Sequence, residues 1–387
     1  MDFSRRTNWD RRLNRLAAQE KALAAHRREL IDLTSTNPTQ CAFDYPPELA
    51  AVFFSAEVNT YRPDPKGQSA ARQALAERGL AVGVQVDAEN IMLCSGTSEA
   101  YGYLLKLLCD AGENVLVPRP SYPLLDYLAR LESVELKAYP LEFAGEWSID
   151  FAALSEALDE RTRAVIAINP GNPTGAFLKR AELESLAALC AERGCALVAD
   201  EVFSDYAFGE ASDRVPAVLR RDSPALTFAL GGLSKKGLPQ AKVAWLCAAG
   251  PPKLKDEAVA RLELIADSYL AGSTIAQSVL PRLLELAPAI QRQIRDRILG
   301  NRALLVCRRP PGARWSVLPS EGGWSAVIRL PDESDEEEIT LHLLERGLKV
   351  QPGYFFDFPR GKFLVLSLIV PPAAMVRGLE ILVGALP

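Results

Sequence analysis

The chain has 387 residues, 48% hydrophobic and 24% charged, with a formal net charge of −5. That length exceeds one ordinary core, so about two domains are expected, and the composition is that of a soluble globular protein. The mild negative balance gives no footing for nucleic acid, and no apolar run is long enough to span a bilayer, so neither is expected as a partner.

The opening residues, MDFSRRTNWDRRLNRL, hold no apolar signal-peptide core, and the expected location is the cytoplasm. Across 9–30, Trp9, Leu13, Leu16, Ala17 and Leu23 recur among arginines, which predicts an amphipathic helix with a basic, solvated face. The stretch LTSTNPTQCAFDYPPE reads as a loop. From about residue 67, helices and strands alternate. QSAARQALAERGL, SEAYGYLLKLLCDAG, SYPLLDYLARLE, FAALSEALDERT and KRAELESLAALCAERG read as helices. NIMLCSG, NVLVPRP, VELKAYPL, AVIAINP, CALVADEVF, LTFALGG and KVAWLCAAG read as strands. Short apolar strands alternating with helices predict an α/β fold with a mostly parallel seven-stranded sheet covered on both faces.

The last hundred residues differ. A helical stretch runs over about 253–306, WSVLPSEGGWSAVIRLP reads as a pair of strands, and FLVLSLIV as another. In PDESDEEEITLHLLERG, Ser334 and Glu337 have the spacing of a capping box, so the acidic run predicts a helix start and not a metal site. A large domain over 46–285 and a smaller α+β domain from 1–45 and 286–387 follow.

Seven cysteines without a C-x-x-C pair, several inside apolar runs, read as reduced buried thiols. The only histidines are His26 and His342, too few for a histidine zinc site or a conventional Ser-His-Asp arrangement. The chemistry lies elsewhere, at the strand ends. Ser95-Gly96-Thr97-Ser98 follows the first strand and opens a helix, an anion site for a phosphate. Tyr122 follows the second strand and offers a flat face to a ring. Asn172, in NPGNPTG, can donate to a phenolic oxygen. Asp200 ends an apolar strand and needs a cationic partner. Lys235 and Lys236 follow the sixth strand, where partial desolvation makes a lysine nucleophilic. Each residue alone is as well explained by a turn, a cap or solvation. Together they describe the binding of pyridoxal phosphate (PLP).

The motifs YRPDPKG (61–67), SGTSEA (95–100), PSYP (120–123), NPGNPTG (169–175), DEVF (200–203) and the Ser234-Lys235 pair resemble those of the class I/II, fold-type I PLP-dependent aminotransferases, over nearly the whole chain. The resemblance implies that Lys235 forms the internal aldimine and shuttles the proton. It implies that Asp200 pairs with the pyridinium nitrogen, Tyr122 stacks on the ring and Asn172 binds the phenolate oxygen. Gly96, Thr97, Ser98 and Lys242 would hold the phosphate, Lys242 standing where the family has an arginine. Tyr61 would reach the neighbouring subunit's phosphate, which makes the expected assembly a homodimer. The implied substrates are an amino acid or amine and a 2-oxo acid.

The pattern departs from the family at four places. The Lys235–Lys242 spacing is one residue short, which leaves Lys236 open as the alternative aldimine lysine. Gly232 replaces a phosphate-binding serine. Phe203 replaces a tyrosine that donates to the phenolate oxygen. Val365 stands where the family has its carboxylate-binding arginine, and Arg360 or Lys362 are the nearby cations expected to substitute. These changes keep PLP lyase or decarboxylase chemistry, or a PLP-fold protein without transamination, as alternatives. The run VQPGYFFDFP suggests an aromatic wall of Tyr354, Phe355, Phe356 and Phe358.

Overall fold

The computed structural model describes residues 1–27, 29–54, 61, 63–78, 86–270 and 272–386. After the short strand β1 (Ile31–Asp32) come eight strands of one sheet: β2 (Ile91–Cys94), β3 (Asn114–Arg119), β4 (Glu135–Phe143), β5 (Trp147–Ile149), β6 (Thr162–Ile168), β7 (Ala196–Asp200), β8 (Thr227–Gly232) and β9 (Ala244–Ala249). Their order is β2-β9-β8-β7-β6-β3-β4-β5. Neighbours from β4 through β3, β6 and β7 to β8 are parallel, and β9 runs antiparallel to both β8 and β2. Thus β2, β3, β6, β7 and β8 all point the same way.

Seven of these strands are the predicted ones. The eighth, β5, is a three-residue edge strand that folds back on β4 through a turn at Gly145, whose φ of 92° suits a glycine. The sheet is apolar on both faces. Val115, Val117, Ile166, Val198, Phe228 and Leu246 share one core with the helices Thr97–Leu108 and Pro252–Asp267. Leu116, Val165, Leu197 and Ala199 share another with the helices Phe151–Ala157 and Arg180–Arg193. Burial on both sides is why these strands read as unbroken apolar runs.

The C-terminal part forms a four-stranded antiparallel sheet, β10 (Ser316–Val317), β11 (Ser325–Leu330), β13 (Gln351–Pro352) and β14 (Lys362–Ser367), in the order β10-β11-β14-β13. Strand β12 (Leu348–Lys349) pairs in parallel with β1, which ties the N-terminal segment to this unit. The predicted helical stretch is three helices, Pro252–Asp267, Thr274–Ser278 and Leu280–Arg308. A last helix, Pro372–Ala385, closes the chain.

The turn before β11 is bound by backbone to the large sheet's loops. Phe208 N–H donates to Glu321 O (2.6 Å), Glu321 N–H to Gly175 O (3.1 Å) and Gly323 N–H to Tyr206 O (3.0 Å). The Glu321 carboxylate accepts from Phe177 N–H (3.0 Å) and Lys179 Nζ (2.6 Å).

Two local expectations shift. The first helix spans only Arg15–Ala25, because the Asn14 side chain caps it on Ala17 N–H; Trp9 lies outside it, edge-on to Tyr127 with ring centres 5.5 Å apart. The acidic helix Glu336–Glu345 is capped by Asp335, whose Oδ1 accepts from Glu337 and Glu338 N–H, and not by the Ser334 box. All seven cysteines are free, with Cys307 exposed and Cys109 half-buried. Among the described residues no helix is long and apolar enough to cross a membrane, and no histidine, cysteine or carboxylate cluster could hold a metal ion.

Candidate active site

The carboxyl ends of the co-directed strands open onto a cavity of about 350 Å³. Thr97, Tyr122, Asn172, Asp200, Ser234 and Lys235 line it from the large sheet's side. Thr34, Thr36, Trp324, Ser325, Gln351 and Phe356 line it from the N- and C-terminal segments. Five predicted residues, Thr97, Tyr122, Asn172, Asp200 and Lys235, therefore share one wall although they come from five different strand ends.

Lys235 follows β8. Its ammonium stands 5.1 Å from the Trp324 ring centre and 5.3 Å from that of Phe203. Burial lowers its pKa, opposed by the charge of Asp200. Tyr206 donates to the Lys235 carbonyl and so fixes its backbone. Lys236 does not line this cavity: its Nζ donates to Asp205 Oδ2 at 2.5 Å.

Asp200 ends β7. Its Oδ1 accepts from Val202 N–H (3.2 Å) and its Oδ2 from Tyr101 O–H (3.1 Å). Burial pushes its carboxyl up, opposed by those two donors and by Lys235. Next to it, burial drives Glu201 to about 7, although its Oε1 accepts from Val218 N–H at 2.6 Å.

Gly96 is the N-cap of the helix Thr97–Leu108, which begins directly after β2, so the start of that helix lies at the carboxyl end of the strand. The Lys242 ammonium lies 3.7 Å from where a Cβ on Gly96 would sit. Lys242, Gly96 and Ser98 flank the cavity without lining it. A serine at Gly232 would bring its Cβ to 3.1 Å from that of Ala244. Asn172 Oδ1 accepts from Ser325 Oγ at 3.5 Å, and its Nδ2 has no acceptor among the described residues. Tyr122 is 48% exposed.

Other expectations separate from the cavity. Tyr61 is exposed and lines a small pocket with Asp64, Gln68 and Gln277; Arg62 of the same motif lies outside the described residues. Arg360 is exposed and off the cavity wall, and Lys362 is half-buried at the start of β14. The aromatic wall is corrected. Of the four rings proposed, Phe356 alone lines the cavity, because the 3-10 turn Gly353–Phe356 sends successive side chains in different directions. Tyr354 is exposed against Phe355, and Phe358 stacks on Phe363 at 4.2 Å. Trp324 and Phe203 supply the aromatic surface instead.

Tyr101, Trp324 and Gln351 are not singled out by the sequence. A signal existed for Tyr101, which lies one helical turn after Thr97 and so shares its face. The arrangement offers a desolvated amine, a buried carboxylate, a helix N-terminus beside the Lys242 ammonium and flat aromatic surfaces. That set fits the phosphate, ring nitrogen and carbonyl of PLP.

The family described as aminotransferase class I and II matches residues 30–375. Tyrosine aminotransferase of Homo sapiens is 27% identical over 337 residues, covering 84% of this chain and 72% of that protein. Glutamate-pyruvate aminotransferase AlaA of Escherichia coli strain K12 is 28% identical over 356 residues, 88% of this chain and 86% of that one. A single mutant of Thermus thermophilus aspartate aminotransferase superposes with a TM-score of 0.86 over 100% of both chains, at 24% identity, a likeness of fold.

Proposed function

This chain belongs to the class I and II aminotransferases, and we propose that its cavity holds PLP on Lys235 while it moves an amino group between an amino acid, or an amine, and a 2-oxo acid. The observation that carries the cofactor reading is the meeting of Lys235, its amine pKa lowered by burial, with Asp200 in one cavity flanked by the Gly96–Lys242 anion site. When bound, PLP supplies a conjugated ring that takes up the electron pair released at the substrate carbon.

Lys235 would hold the cofactor through its amine, and the same amine would hold and move the proton at the substrate carbon. Burial lowers the pKa of that amine, which favours its neutral form. Asp200, oriented by Val202 and Tyr101, pairs with the ring nitrogen. Tyr122 covers a ring face, and Asn172 donates to the phenolic oxygen. Gly96, Thr97, Ser98 and Lys242 take the phosphate. Phe203 brings no hydroxyl to the site; with Trp324 it excludes water around Lys235.

Tyr61, exposed in the single chain, serves the partner's phosphate site in a homodimer. Residues 46–285 act as the large domain, 1–45 with 286–387 as the small one, and the enzyme works in the cytoplasm. The lyase, decarboxylase and non-transaminating alternatives are not favoured, because the curated relatives are aminotransferases.

Borohydride trapping tests the cofactor reading. The purified protein with PLP is reduced and the labelled lysine is mapped by mass spectrometry. Label on Lys235, lost in Lys235→Ala, is expected. Label on Lys236 shifts the register, and a colourless, unlabelled protein overturns the reading.

A further inference from the structure

Among the described residues, Lys235 is the one lysine or arginine on the cavity wall. Val365 is 1% exposed and packs with Trp147, Leu318, Phe356 and Phe363, so the strand that could have presented a guanidinium presents a packed valine. Other cations are held elsewhere or lie off the wall, Lys242 and Lys362 among the latter. Arg119 pairs with Asp126 (3.0 Å) and Asp357 (3.2 Å). Arg297 donates to the carbonyls of Cys41, Ile369 and Val370. Lys236 is held by Asp205, and Arg360 is exposed away from the wall.

What stands beside Val365 is Gln351. It is the cross-strand partner of Val365 in the β13–β14 pair, and its side chain lines the cavity half-buried. Its carboxamide has no hydrogen-bond partner among the described residues, and neither has the hydroxyl of Thr36 on the same wall. We propose that Gln351 receives the group attached to the substrate's amino-bearing carbon, binding an α-carboxylate by neutral hydrogen bonds in place of an ion pair. This rests on the cofactor reading above.

The chemistry of the side chain then sets the substrate class. A guanidinium only donates, so it favours a carboxylate over an uncharged carboxamide by charge as well as geometry. A glutamine carboxamide donates and accepts, so it meets a carboxylate through its N–H alone and a carboxamide through a reciprocal pair, one bond donated and one accepted, a difference of a single hydrogen bond. The accepted donors are therefore α-amino acids and their α-carboxamides alike, with the two discriminated by no more than about tenfold, which is the scale of one ordinary hydrogen bond.

The test uses the holoenzyme and matched pairs, phenylalanine with phenylalaninamide and alanine with alaninamide, followed by single-turnover loss of the cofactor absorbance. Calorimetry of 3-phenylpropanoate against 3-phenylpropanamide reads binding without turnover. Acid and amide within about tenfold of each other are expected in both measurements. Gln351→Leu should raise KM for both members of a pair by about tenfold and leave kcat nearly unchanged. Gln351→Arg should shift the ratio toward the acid by a further factor of about ten or more. A preference of about a hundredfold for either member in the unaltered enzyme, binding of neither calorimetric ligand, or a ratio unmoved by Gln351→Arg in a variant of unchanged Tm overturns the proposal. A protein without label on Lys235 sinks the cofactor reading instead, and the calorimetric pair still decides the role of Gln351.

Discussion

Replacing Tyr101 by phenylalanine removes one oxygen atom from the site and adds nothing. Asp200 has two donors, Val202 N–H at 3.2 Å on one oxygen and Tyr101 O–H at 3.1 Å on the other. The variant leaves a carboxyl already pushed up by burial with the backbone donor alone. A hydrogen bond to an ionised group is worth about 1.5–3 kcal/mol, or about ten- to a hundredfold in a rate or binding constant. The direction follows from which form is stabilised. The lost donor favoured the carboxylate, so Asp200 holds its proton to higher pH and is ionised over a narrower range. Tyr101 is thus a positioning residue, and its loss should move the acid limb of the rate profile upward as well as lower the plateau. The assay is single-turnover absorbance over about pH 5–9, with cofactor Kd from fluorescence titration and Tm as the control for folding. A variant of unchanged Tm whose rate and Kd stay within about twofold and whose acid limb does not move refutes the coupling.

Glu201 gives a stability prediction. Its folded carboxyl titrates near 7 against an ordinary 4.5, so the folded state holds a proton that the unfolded chain releases between those values. Stability is therefore lost as pH rises through that window, by about 3 kcal/mol from this one group, and Glu201→Gln should flatten the difference in urea midpoint between pH 5 and pH 8 in protein without added cofactor. Lys242→Ala should weaken PLP binding by about ten- to a hundredfold in a fluorescence titration, the scale of one charge-assisted bond, and a change under about threefold would remove Lys242 from the anion site. Gly175 has φ 67°, and a Cβ there would lie 2.3 Å from Gly322 O and 2.9 Å from Ser320 Cβ. Gly175→Ala should cost about 2–5 kcal/mol in urea unfolding; a variant as stable as the parent would mean that the two loops separate freely.

The strand ends were legible because strands buried on both faces leave unbroken apolar runs, and whatever follows each run falls at one edge of the sheet. That is why the sequence alone groups Thr97, Tyr122, Asn172, Asp200 and Lys235, which the cavity wall brings together. Tyr101 was not, since its bond to Asp200 spans 99 positions and depends on how the helix is rotated against the sheet. Trp324 and Gln351 come from the other sheet and meet the cavity only through packing between the two. The same limit misled the reading of VQPGYFFDFP, where a run of aromatics gave no sign that a 3-10 turn would fan them apart. Apolar spacing on the N-terminal side of Asn14 predicts a longer first helix than the structure has, and a local side-chain cap outweighs periodicity there.

The bonds around Glu321 bear on how such a chain can be recombined. A crossover placed at residue 286 would exchange everything C-terminal to it and look neutral on a linear map. Yet the incoming turn would have to satisfy Phe177, Lys179, Gly175, Tyr206 and Phe208 of the host. Trp324 and Ser325, immediately downstream, set the wall facing Lys235 and Asn172, so a mismatched graft would disturb the active site before it disturbed either core. The 321–323 turn and the 171–179 and 206–208 loops are thus one heritable unit, and exchange between relatives should succeed when all three travel together.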